Sequence, residues 1–146
     1  MTVLSAEQLQ DFLARAFPEV RHYGFVVEHV DERTITVRLP ANEASLRPGG
    51  TISGPSMFIL ADVAVYLLVL AQIGEVALAV TTTVGMNFLR KPPHGDLVAE
   101  GELLKLGRRL AVGHVRIHAA DGGATAELVA DASLTYSIPP RDKDRG

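Results

Sequence analysis

The sequence predicts an α+β fold in which a curved antiparallel sheet wraps one long central helix, with a short helix ahead of it. Three observations lead there. The run from Pro55 to Ile73 is apolar on every side and carries a single charged residue, Asp62. The segments around it are β-rich and punctuated by turn clusters. Their order is one short helix, two strands, the long helix and then four strands, which suits consecutive antiparallel strands with a helix segregated to one face.

Ser5 is the expected N-cap of the first helix, in which Leu9, Phe12, Leu13 and Phe17 recur about once per turn until Pro18 stops it. Tyr23–Val30 and Thr34–Leu39 read as a hairpin joined by Asp31, Glu32 and Arg33. Its second strand alternates Thr34, Thr36 and Arg38 with Ile35, Val37 and Leu39, so one face is wet and the other buried. PANEASLRPGG is loop. The long helix begins at Gly54 or Pro55, because proline is tolerated in a first helical turn, and Gly74 is a fitting stop. Beyond it Val76–Leu89, Asp96–Leu106, Arg109–Ala120 and Ala124–Ser137 are strand-like, separated by KPPHGD, LGRR and ADGG. His114, Arg116 and His118 alternate with Val115 and Ile117 and so share one strand face.

The chain of 146 residues is expected to form one domain over 1–146, with its core at about 20–138 and a frayed tail at 139–146. It has no cysteine, which excludes disulfides, thiolate nucleophiles and Cys-based zinc sites. With 21% charged residues and a net charge of −3, no electrostatic hold on nucleic acid is expected. As a membrane span, Pro55–Ile73 would carry Asp62 near mid-bilayer at a cost of roughly 2.5 to 3.5 kcal/mol, so it is read as a buried helix with no membrane partner. The start MTVLSAEQLQ is polar and does not read as a secretory signal, so a cytoplasmic location is expected. His114 and His118 lack a third ligand, and no metal is expected.

A sheet covers only one side of a helix. A helix apolar all round therefore calls for a further surface, and a second copy of the chain is the simplest one.

The stretch RPGGTISGP, Arg47 to Pro55, followed by Asp62 in the helix, then MNFLRKP, Met86 to Pro92, and Gly95–Asp96, resembles the hot-dog fold acyl-CoA thioesterases of the phenylacetate-pathway type. The resemblance runs over about 23–137. Gly50, Gly54 and Asp62 match the family pattern. Arg47 stands where the family has Asn, Ser53 where it has His, and Pro55 where it has a second Gly. The resemblance implies an acyl-CoA thioesterase acting on a small or medium, aromatic or aliphatic, acyl group. In it the Gly54 N–H polarises the thioester carbonyl, and Asp62 activates water or attacks directly. It implies no separate cofactor, coenzyme A being part of the substrate. A homodimer with sites at the interface is expected, and a homotetramer of two dimers.

The chemistry of these residues supports the same roles. A helix N-terminus presents unpaired N–H donors, and glycine there lets an oxyanion approach. Ser53 is read first as the cap, with a hydrogen bond to the carbonyl or the water as its alternative role. Asp62 follows Gly54 by eight positions, ~12 Å along the axis, so one carbonyl cannot touch both on one chain. Asp62 of one protomer must then face Gly54 of its partner. Phe58 and Tyr66 are its expected apolar neighbours, and Thr83 is the strand hydroxyl that the resemblance implies would position the water. Gly50 and Asn87 are expected beside the substrate. Arg47, Arg90, Lys91, Arg108 and Arg109 are candidate cations for the phosphates of coenzyme A. Two other readings stay open. A hydratase of the same fold would carry His at the position of Leu67, which disfavours it, and a non-catalytic acyl-CoA binding or sensing protein would not need a His at Ser53.

Overall fold

A computed structural model describes residues 2–125 and 127–140. The expected frayed tail lies, from 141 onward, outside the described residues. The chain order is α1 (Ala6–Ala16), β1 (Val26–Val30), β2 (Thr34–Leu39), α2 (Gly54–Ile73), β3 (Val80–Phe88), β4 (Leu97–Leu106), β5 (Leu110–Ala119) and β6 (Leu128–Ser137). The six strands form one antiparallel sheet in the order β1-β2-β4-β5-β6-β3, wrapped around α2. This is the hot-dog fold.

The local chemistry accounts for each element. Ser5 caps α1 through a reciprocal box with Gln8: its hydroxyl accepts from the Gln8 N–H at 3.2 Å while its own N–H donates to Gln8 Oε1 at 2.9 Å. The next segment departs from expectation. Pro18–Tyr23 turns into a 3₁₀ helix closed by Gly24 at φ 75°, so the first strand starts at Val26 rather than Tyr23. The region before β3 behaves similarly. Val76–Ala79 closes a turn, with the Ala79 N–H donating to Val76 O at 3.0 Å, and pairing begins at Val80. In β6 pairing begins at Leu128, after a 3₁₀ turn over Ala120–Thr125.

The core lies between α2 and the inner face of the sheet. Ile35, Val37 and Leu39 of β2, Leu97 and Ala99 of β4, Val115 and Ile117 of β5, and Ala130 and Leu134 of β6 bury against Leu60, Ala64, Leu67 and Leu68. Each fully buried Val, Leu or Ile side chain contributes about 1.5 to 3 kcal/mol. Gly113 of β5 is needed here for space: a Cβ at that position would lie 2.9 Å from Val65 Cγ1. The strand therefore carries no side chain where it faces Val65 of α2. α1 closes the C-terminal part of α2, its Phe12 ring 6.2 Å from that of Tyr66.

α2 is long and apolar enough to cross a bilayer, but 72% of its most apolar window is buried inside the protein. Among the described residues, two uncovered surfaces lie beside the helix start and the β3 edge. Pro55 and Phe58 of α2 are exposed and Ile59 and Asp62 half-buried, a stripe one helical face wide. β3 is the other, an edge strand without a charged residue, with Val80 and Phe88 each more than half exposed.

Candidate active site

Asp62 is brought to the protein surface by the third turn of α2, and two strands supply its partners. Thr81 and Tyr136 oppose each other in the β3–β6 ladder and point to the inner face. The Thr81 hydroxyl donates to Asp62 Oδ1 at 2.6 Å. The Tyr136 hydroxyl lies within hydrogen-bond reach of both Asp62 Oδ1 and, at 2.7 Å, the Asp62 backbone carbonyl. Burial, and next the negative charge of Asp62, raise the proton affinity of the Tyr136 hydroxyl far above that of an ordinary phenol. It therefore stays protonated and serves the carboxylate as a donor. Among the described residues, Asp62 Oδ2 has no protein donor.

Around this carboxylate lies a cleft of about 490 Å³ lined by Phe17, Glu19, Val63, Tyr66, Ala79 and Thr81, among others. Its deep wall is aromatic. The Tyr66 ring stacks on Tyr136 at 6.1 Å and meets Phe17 edge-on at 6.0 Å, while its hydroxyl donates to Ala77 O at 3.1 Å. Burial raises the proton affinity of the Tyr66 hydroxyl as well.

Gly54 occupies a second cleft of about 370 Å³ at the other end of the uncovered stripe, with Arg47, Met57, Phe88, Arg90 and Lys91. The local hydrogen bonds single out one donor. The Ser53 hydroxyl accepts from the Ser56 N–H at 3.2 Å, Pro55 has no N–H, and the Met57 N–H donates to Ser53 O at 3.0 Å. Among the described residues, the Gly54 N–H is thus the first-turn donor without a protein acceptor. Its α-carbon is also accessible, since a Cβ there would meet the Phe88 ring only at 3.7 Å.

The predicted residues divide between these places. Gly54, Arg47, Arg90 and Lys91 share the second cleft, and Asp62 and Tyr66 share the first. Ser53 caps α2, and its hydroxyl also meets Ser56 Oγ at 2.8 Å. Gly50 shapes the preceding turn at φ 86°, and its carbonyl meets His94 Nδ1 at 3.1 Å. Phe58 lies on the open stripe of α2, 41% exposed. Arg108 and Arg109 form the exposed β4–β5 turn, at the end of the sheet where Leu110 and Val80 both pair with Ser137. Arg90 is engaged by Glu127 at 2.7 Å and by Leu128 O.

Two residues lie elsewhere. A bulge between Thr81 and Thr83 sets Thr83 opposite Thr135, on the outer face of the sheet, so Thr81 and not Thr83 reaches Asp62. Asn87 is on the same outer face, donating to Asp131 Oδ1 at 3.1 Å beside His114 Nε2, which sits 3.3 Å from Asp131 Oδ2. Tyr136 was not anticipated. The signal available was its alternation with Ala130, Ala132 and Leu134, which sets a hydroxyl on an otherwise apolar inner face.

Residues 49–126 match the family model of the thioesterase superfamily. A crystal structure of a protein from Silicibacter sp. TM1040, named provisionally as a thioesterase, is 47% identical and superposes with a TM-score of 0.85 over 96% of this chain and 95% of that one. A thioesterase structure from Haemophilus influenzae shares the fold at 22% identity, with a TM-score of 0.80 over 94% of this chain and 92% of that one. A Thermoplasma acidophilum protein, named provisionally as an esterase, is 25% identical over 82% of this chain and 86% of its own length.

Proposed function

The chain belongs to the thioesterase superfamily, which places its chemistry among the thioester hydrolases, and from that premise we propose that it hydrolyses a small or medium acyl-CoA at a site shared by two protomers. The observation that carries this reading is the geometry of Asp62. The lone carboxylate of an apolar helix, with one oxygen anchored by hydroxyls and the other without a protein donor among the described residues, opens into a largely apolar cleft.

The partition of the two clefts supports the two-chain arrangement. If β3 pairs antiparallel with its copy about a two-fold axis, the Val80 end of one strand lies beside the Phe88 end of the other. Val80 lines the Asp62 cleft and Phe88 lines the Gly54 cleft. Each pairing therefore brings Asp62 of one protomer toward Gly54 of its partner, twice per dimer. The uncovered stripe of α2 and the uncharged edge of β3 become the buried surface.

In the proposed reaction the thioester oxygen accepts from the Gly54 N–H, which stabilises the oxyanion as the carbonyl carbon becomes tetrahedral. Asp62 Oδ2 takes a proton from water, and the hydroxide so formed attacks. Collapse expels the coenzyme A thiolate, which regains the proton, leaving the carboxylic acid. Arg47 and Lys91 at the Gly54 cleft, with Arg108 and Arg109 at the Asp62 end, suit the phosphates of coenzyme A. No separate cofactor enters.

The test is release of free thiol from a panel of aromatic and straight-chain acyl-CoA esters. Asp62→Asn is expected to reduce kcat by roughly 10² to 10⁴. Mixing that inactive variant with Gly54→Val tests the shared site directly. Half of the randomly re-associated dimers are mixed and each carries one intact site, so about a quarter of the wild-type rate returns. No recovery on mixing rejects a composite site. Tight binding of the esters without turnover by the wild type assigns the alternative, a non-catalytic acyl-CoA binding protein.

A further inference from the structure

Tyr136 makes a contact that the proposed chemistry leaves unused. Tyr136 is 2% exposed, so little of it meets the cleft it helps to line, and its hydroxyl reaches across from β6 to both Asp62 Oδ1 and the Asp62 carbonyl. The carbonyl belongs to a mid-helix residue and already has a helical acceptor role to fill, so the tyrosine is not needed to satisfy it. Thr81, its opposite number in the ladder, reaches the same oxygen from β3. Two strands thus converge on one oxygen of one carboxylate.

Resting on the thioesterase reading of this site, we propose that Tyr136 is a positioning residue: with Thr81 it clamps Asp62 Oδ1, so that the two carboxylate oxygens have separate tasks and only Oδ2 faces the reactants. An aspartate on a helix has several accessible rotamers, and without a clamp it swings about χ1 and χ2. Two donors of fixed origin remove that freedom. The bulge in β3 belongs to the same device, because it returns Thr81 to the inner face while the rest of the strand keeps its pairing. Burial keeps the phenol protonated and the donor permanent. The packing of Tyr136 against Tyr66 fixes the ring from which the hydroxyl projects. The clamp also settles which part of the carboxylate takes the proton from water: Oδ1 is occupied by hydroxyl donors, and Oδ2 is the basic site.

The experiment compares wild type with Tyr136→Phe, which keeps the ring and removes the hydroxyl, in two independent ways. A crystal structure of the variant is expected to show the Asp62 carboxylate rotated or split between rotamers. Steady-state kinetics are expected to show kcat reduced roughly tenfold to a hundredfold with KM within about twofold, since a displacement near 1 Å suffices for such a loss. In an Asp62→Asn background, Tyr136→Phe is expected to cause no further loss, because it acts only through that carboxylate. Should Tyr136→Phe fail to fold, Thr81→Val removes the other donor of the clamp and is judged by the same readouts. An unchanged Asp62 rotamer with unchanged kcat overturns the proposal. So does a lower Tm with kcat per folded protein unaltered, or a full additional loss in the Asp62→Asn background. A wild type that hydrolyses no ester on the panel defeats the thioesterase reading instead, while the rotamer comparison still decides whether the clamp exists.

Discussion

At the scale of single residues, the site turns on which hydroxyl reaches Asp62. Thr81, Thr82 and Thr83 are consecutive, and strict alternation would put Thr81 and Thr83 on one face. The bulge separates them: Thr81 opposes Tyr136 on the inside, and Thr83 opposes Thr135 on the outside. Thr81→Val is therefore expected to lower kcat roughly tenfold or more, whereas Thr83→Val leaves it within about twofold. Thiol-release assays on the two variants side by side check this, and equal losses would place both hydroxyls at the site. Gly54 matters for the same reason of access. With the Ser56 N–H spent on Ser53, and Pro55 lacking a donor, the Gly54 N–H is, among the described residues, the first-turn donor left for the proposed oxyanion.

At the scale of elements, the close seating of α2 against β5 determines where Asp62 sits. A Cβ at Gly113 would lie 2.9 Å from Val65 Cγ1, and Val65 is β-branched and held to one rotamer in a helix, so it cannot move aside for a methyl group. Gly113→Ala is expected to destabilise the fold by about 1 to 3 kcal/mol through overpacking. Denaturant unfolding measures it, and combining Gly113→Ala with Val65→Ala should recover much of the loss by vacating the same space. A fully additive double variant would show that the two positions do not share a contact. The loop before α2 is positioned by its own backbone: the Arg47 N–H donates to Thr51 O at 2.9 Å and the Gly50 N–H to Arg47 O at 3.0 Å. That turn needs glycine at 49 and 50, where φ is 106° and 86°.

At the scale of the whole molecule, the proposed unit of function is the pair of chains. A nine-residue edge strand without charge is the kind of surface that soluble proteins cover or blunt. In the proposed dimer each half supplies what the other lacks, so hydrolysis and association are one property. Dilution below the dimer dissociation constant is expected to lower specific activity in step with the dimer fraction measured by sedimentation. Full activity in a monomeric fraction would remove the shared site. The expected tetramer would register in the same measurement as a second, larger species.

Much of this was legible in the sequence by itself. The α+β class, the central helix from Gly54, its cap at Ser53 and the isolation of Asp62 all follow from period, capping and the scarcity of charge, which are local properties that neighbouring residues carry together. What only the tertiary structure decided was pairing at long range. The β3–β6 register made Tyr136 the partner of Asp62 across 74 positions of chain, and one inserted residue at Thr82 moved Thr83 to the far side. Asn87 faces Asp131 for the same reason of register, and β3 became an open edge only because β4 was carried across to pair with β2. An alternating pattern states which residues share a face but not which face it is, and each bulge exchanges the two.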